Sequence, residues 1–291
     1  MDQPINQSTD QPITIAVADS AIALEIPHPR LRQRVAERFH AFAVDRPPAL
    51  RLTVDLVGYE RAHSMVDQGM HFDGGLLRFN GSGYLGHIDE GRGDRVGNGH
   101  LALSSRQPVE DVDYFLRVGA ALLMHRLGGM MFHAAGIVRA GRAFLFFGYS
   151  GSGKTTVSRL SQALGDSVLN DDLLFLTPPN PEKASGWTVH STPFWNPTQV
   201  QPDGIGSAPL AGLFRLVQAK QVFAAPMQPG QAVAELLASV PVLGLDPARS
   251  LGTLARCRQL SRDVPIHHLH FLPDDSFWPV VLDTVPQSIS G

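Results

Sequence analysis

The stretch Gly148-Tyr-Ser-Gly-Ser-Gly-Lys-Thr155 combines residue types and spacing suited to one kind of chemistry, phosphate binding. It fills the pattern G-x-x-x-x-G-K-[ST], with Gly148, Gly153, Lys154 and Thr155 at the defining positions. Glycines at 148, 151 and 153 let the backbone curl so that successive N–H groups point inward at phosphate oxygens. The candidate nucleotide-binding set is therefore Gly148, Ser150, Gly151, Ser152, Gly153, Lys154, Thr155 and Thr156. A helix opening at Lys154 adds partial positive charge at its N-terminus. Lys154 would reach the β- and γ-phosphates, and Thr155 would offer its hydroxyl to Mg²⁺.

A phosphate loop of this kind needs an acid, to hold the metal and to orient or deprotonate the attacking group. Asp171 and Asp172 are the paired carboxylates at a strand end near the loop. Neighbours on an extended backbone point to opposite sides, so the two acids cannot do the same job. The reading assigns Asp171 to the γ-phosphate as general base and Asp172 to the metal, directly or through water, with the two roles open to exchange. His133, in Phe-His-Ala-Ala-Gly, completes the catalytic candidates with Asp171 and Lys154. A histidine in an apolar strand is ordinarily a core residue, but this strand precedes and pairs with the one that feeds the loop.

The elements that must position these groups can be read around them. Met130–Val138 and Ala143–Phe147 are apolar runs joined by Arg139-Ala-Gly-Arg142, which predicts a hairpin; the strand before the loop is then paired antiparallel with its predecessor, where a βαβ crossover is usual. Residues 155–164 read as a helix, and 167–169 as a strand ending in Asn170-Asp171-Asp172. A proline-rich loop follows over 193–209, then a strand at 213–217, helices at 231–237 and 251–260, a late strand near 266–271 and a closing helix at 275–282. Upstream, Leu31, Val35, Phe39 and Phe42 mark a helix over 29–42, and Leu50, Leu52, Val54 and Leu56 alternate as a half-buried strand. Glycine-punctuated strands with turns at Asp73-Gly-Gly75 and Asn80-Gly81 suggest a meander, and 109–127 has helical periodicity. The expected organisation is a disordered tail (1–11), a β-rich N-terminal module (12–107) and a nucleotide-binding domain (108–291).

Bulk composition narrows the classes. A net charge of −3 gives no support to a nucleic-acid binder. No apolar run approaches the roughly 20 residues needed to cross a bilayer, and the polar first ten residues lack the pattern of a signal peptide. The single cysteine, Cys257, excludes an intramolecular disulfide. The expectation is a cytoplasmic protein with no membrane and no nucleic-acid partner.

His133-Ala-Ala-Gly, the Gly141 turn, the loop and Asn170-Asp-Asp172 together resemble the catalytic half of HPr kinase/phosphorylase, over about residues 128–195 and more weakly beyond. The resemblance implies an α/β fold: a P-loop, HPr kinase-like mixed sheet flanked by helices and related to phosphoenolpyruvate carboxykinase, behind the N-terminal β-rich α+β module. It also implies ATP with Mg²⁺, transfer of the γ-phosphate to a serine hydroxyl of a protein or peptide, and a base at Asp171. Thr156 stands where the family has an acidic residue, the later Glu-x-Arg-Gly segment is missing, and Ser191-Thr-Pro-Phe-Trp195 takes its place. In these respects the chain is similar to the shorter HPr kinase-like proteins of peptide-modification cassettes. The departures count against phosphorylase activity, a hexamer and HPr as acceptor, and leave an oligomer possible without implying one. The alternatives are a nucleotide-binding regulator or NTPase without a phosphoacceptor, and a small-molecule or carboxykinase-like kinase.

Overall fold

In the computed structural model the described residues are 11–57, 69–73, 75–81, 83–104, 106–180, 182, 186–196, 198–241 and 247–285. The expected disordered tail thus lies outside them save for Gln11, as does Gly74 of one expected turn. The architecture is α/β, with two mixed sheets and six α-helices among the described residues. The chain divides into two compact units, Met1–Arg126 and Leu127–Gly291.

The first unit holds strands β1 (Ile13–Val17), β2 (Ser20–Glu25), β3 (Leu50–Leu56), β4 (Gly69–Asp73), β5 (Leu76–Gly81), β6 (Tyr84–Asp89) and β7 (Gly97–Leu103) in a seven-stranded sheet ordered β1-β2-β3-β7-β6-β5-β4. β3 runs parallel to both β2 and β7, and the other pairs are antiparallel. Helix α1 (Pro29–Phe39) is capped by His28, whose ring accepts the Leu31 N–H at 3.3 Å, and it ends where a 3₁₀ turn carries Phe42 inward. β5 continues through Asn80 and Gly81, which pair with Leu85 and Tyr84, so the turn falls beyond the expected Asn-Gly pair. Helix α2 (Pro108–Arg126) packs on α1, β3 and β7 and belongs to this unit, which moves the boundary from 107/108 to 126/127. The reason is close approach: a Cβ at Gly119 would stand 3.0 Å from Leu52 and 3.2 Å from Leu50.

The second unit contains β8 (Met130–Arg139), β9 (Arg142–Phe147), α3 (Lys154–Ala163), β10 (Ser167–Asn170), β11 (Leu173–Thr177), β12 (Thr188–His190), β13 (Ser207–Gln218), β14 (Phe223–Pro226), α4 (Pro229–Ala238), α5 (Pro247–Asp263), β15 (Ile266–Phe271) and α6 (Phe277–Asp283). β8 and β9 pair antiparallel through the two-residue turn Ala140-Gly141, both with positive φ, as the sequence predicts for this hairpin. β9 runs parallel to β13, and β13 parallel to β15. β10 and β11 lie end to end along β8, antiparallel to it, and β12 links β11 to β13.

Strand β9 is buried on both faces from Ala143 to Phe147, which explains its unbroken apolar run. On one face Phe144 and Phe146 join Phe214, Leu269 and the α3 and α6 residues Val157, Phe277 and Trp278. On the other, Leu145 and Phe147 join Leu213, Ile266 and residues of α4 and α5, including Leu236 and Leu260. The sheet is therefore clamped by two apolar cores, and the glycine-rich loop 148–153 leaves from a strand buried on both faces. Phe146 stacks on Phe214 (centroids 5.6 Å apart) and meets Phe277 and Trp278 edge-on. Phe146→Ala should cost about 3–5 kcal/mol, read as a lower midpoint in urea denaturation with an unchanged m-value; a cost below about 1 kcal/mol would mean that β9 does not anchor this core.

Candidate active site

The loop between β9 and α3 adopts the backbone its glycines permit. Gly148, Gly151 and Gly153 have φ of 149°, 78° and 111°. A Cβ at Gly153 would fall 2.4 Å from the Phe271 ring, and one at Gly148 would fall 2.9 Å from Ser152 Oγ, so both positions demand glycine twice over. Lys154 is largely buried, and its Nζ donates to the carbonyls of Gly148 (3.0 Å) and Tyr149 (3.3 Å). Burial pulls its pKa below the usual lysine value, against the opposing pull of Asp172 and Asp171. Gln218 at the end of β13 donates to Gly151 O at 2.9 Å and fixes the loop's crest.

A cavity of about 460 Å³ opens beside the loop. It is lined by Ser150, Gly151, Gly153, Lys154, Thr155 and Thr156, by His133, Asp171 and Asp172, and by Gln199 and Gln218. The candidates from loop, strand end and hairpin thus come together around one space. Gly148 and Ser152 are outside the lining and set the loop's curl from behind; the Ser152 Oγ is buried and has no hydrogen-bond partner among the described residues.

The two carboxylates reach the cavity by a route the sequence reading did not foresee. They sit in a bend between β10 and β11 and not on an extended strand, so strict alternation does not apply and both face the same space. Asn170 makes the bend. Its Oδ1 accepts the N–H groups of Asp172 (2.7 Å) and Leu173 (3.2 Å), an Asx turn. Its Nδ2 donates to Thr192 O (3.1 Å), Thr192 Oγ1 (3.1 Å) and Phe194 O (2.9 Å). Thr192 Oγ1 in turn donates to Leu173 O at 2.7 Å. The segment Ser191–Phe194 is therefore a buckle on the strand break.

Asp171 and Asp172 have different neighbours. Asp171 is 1% exposed; Oδ2 accepts the Val200 N–H at 3.1 Å, the Thr155 hydroxyl stands beside the carboxylate, and Oδ1 is buried with no hydrogen-bond partner among the described residues. Burial raises its pKa above the ordinary carboxylate range, with Val200 and Thr155 opposing. Asp172 pairs instead with His133, Oδ1 to Nε2 at 3.2 Å, and that imidazole is 42% exposed. So the structure groups Thr155 with Asp171 and His133 with Asp172. Asn170, Thr192, Gln199, Val200 and Gln218 are the contributors that sequence reasoning missed as site residues; Asn170 before two acids in a turn was the available signal.

No group of three or more His, Cys, Asp or Glu side chains able to hold a metal alone occurs among the described residues. A buried carboxylate oxygen without a partner, next to a threonine hydroxyl and a lysine, is a donor set that fits Mg-nucleotide. No known family model matches the chain, and no curated protein matches it. No helix among the described residues is long and apolar enough to cross a membrane.

Asp171 also sets a pH test. Its carboxyl holds the proton more tightly when folded than when unfolded, so its contribution to stability falls as pH rises above about 3.8. Asp171→Asn keeps an acceptor for Val200 and removes the charge. Thermal melts should show the variant more stable than the wild type at pH 7, with the gap closing toward pH 4; a melting temperature below that of the wild type at pH 7 would contradict the burial argument.

Proposed function

We propose that the second unit is an HPr kinase-like P-loop kinase that uses Mg-ATP to phosphorylate a serine hydroxyl of a protein or peptide. The observation that carries this reading is the convergence of two acids with different partners on one phosphate loop: Asp171 with Thr155, and Asp172 with His133. The more accessible acid paired with histidine is suited to take a proton from an incoming hydroxyl, and the acceptor dependence of turnover separates a serine from water.

In this reading the loop amides and Lys154 hold the phosphates, with Lys154 released from its carbonyl partners onto the β- and γ-oxygens. Thr155 and Asp171 are the residues that would hold Mg²⁺, which when bound neutralises charge on those oxygens. The neighbours favour the exchanged roles for the aspartates: Asp171, buried against Thr155, suits the metal, and Asp172 suits the base. The acceptor hydroxyl gives its proton to the Asp172 carboxylate as its oxygen bonds to the γ-phosphorus. The bond from that phosphorus to the β–γ bridging oxygen breaks, and ADP leaves. His133 orients Asp172 and stabilises its charge before transfer. The same reading places the protein in the cytoplasm, without membrane or nucleic acid as partner, and gives it no phosphorylase activity.

The test is phosphate transfer from Mg-ATP to serine-bearing peptides, followed by mass spectrometry. Asp172→Asn should lower transfer by about 10²–10⁴-fold. Lys154→Ala should lower transfer by about 10²-fold or more. ATP consumption that proceeds equally with and without acceptor would overturn the kinase reading in favour of a nucleotide hydrolase. Undiminished turnover in Lys154→Ala would overturn the loop assignment.

A further inference from the structure

Tyr149 is the residue of the phosphate loop that phosphate binding does not use. It is 69% exposed and is not among the residues that line the cavity. Its carbonyl receives the Lys154 ammonium. Because that lysine is the group that reaches the β/γ-phosphates, Tyr149 marks the transfer end of the loop. Beneath its ring lies Arg215 of β13, with the guanidinium carbon 4.8 Å from the ring centroid.

Arg215 is held from the side. Its Nε pairs with Glu235 of α4 at 3.0 Å, and Nη1 donates to Leu216 O at 3.1 Å. The same turn of α4 continues toward the acids: Ser239 Oγ donates to Glu235 O, and Ser239 O accepts the His133 N–H at 2.8 Å. A chain of contacts therefore links Tyr149 through Arg215, Glu235 and Ser239 to His133, the partner of Asp172. Tyr149 is also next in sequence to Ser150, which lines the same cavity as Asp172.

Resting on the kinase reading, we propose that Tyr149, stacked on Arg215, is the specificity platform for the acceptor and selects an aromatic side chain within two residues of the phosphorylated serine. One side of the ring is taken by a cation, and the residue is otherwise exposed. The cation draws the π-density of the ring toward itself, so the open face is a poor host for a second cation and a good one for the face of another ring in offset stacking.

The experiment uses the full chain, radiolabelled Mg-ATP and peptides with one central serine in a Gly/Ala background, carrying Phe, Ala or Lys one or two residues from it. The readout is the ratio of initial rates between peptides, taken within each variant, so it does not depend on how much active protein each preparation holds. The wild type should prefer Phe over Ala by about 3–10-fold, the size of a single aromatic pair, and rank Lys last. Tyr149→Phe should keep that preference and Tyr149→Ala should reduce the ratio to about one. Absence of the preference in the wild type, or its survival in Tyr149→Ala, overturns the platform and leaves the kinase reading standing. Failure to phosphorylate any serine peptide overturns the kinase reading and the platform with it.

Discussion

The side-chain amide of Asn170 commits all of its hydrogen-bonding groups to its surroundings, and the site depends on that commitment. Without it, β10 would run straight into β11, and Asp171 and Asp172 would point to opposite faces. With it, the chain bends, the ladder along β8 resumes at Leu173, and both acids line one cavity with the glycine-rich loop. The amide is completely buried, and its replacement would strand two N–H groups and two carbonyls away from water. The bend is thereby tied to the 191–200 segment, which also supplies the Val200 N–H to Asp171.

This rigidity has an electrostatic purpose. Lys154 and Asp171 are both pushed toward their neutral forms by burial, and the ammonium rests on loop carbonyls. A merely structural carboxylate would have both oxygens satisfied; Asp171 Oδ1 has no hydrogen-bond partner among the described residues. Buried titratable groups held short of full satisfaction in a cavity are characteristic of functional sites. The frame that tolerates this is the doubly buried β9 between two apolar cores.

Much of this was legible in the residues. The loop announced itself through glycine spacing and Lys154-Thr155, and the 130–147 hairpin through two apolar runs around Ala140-Gly141. Periodicity located β3 and the helices to within a few residues. The bend at Asn170 was not legible, because its partners Thr192 and Phe194 lie 22 and 24 residues away and pair with it only after β11 and β12 have folded back. β14 escaped notice because Phe-Ala-Ala-Pro lacks alternation and is held as an edge strand by β15. The allegiance of α2 to the first sheet rests on a close approach at Gly119 that periodicity does not encode. The different neighbours of the two acids, Thr155 for Asp171 and His133 for Asp172, were not legible either, because both depend on the bend.

The sharpest measurement is calorimetric titration of ADP, with and without Mg²⁺, into the wild type, Asp171→Asn and Asp172→Asn. If Asp171 with Thr155 forms the metal side of the loop, Mg²⁺ will tighten ADP binding in the wild type and in Asp172→Asn, and will make no difference in Asp171→Asn. Loss of the magnesium effect in Asp172→Asn, with its retention in Asp171→Asn, would contradict the account.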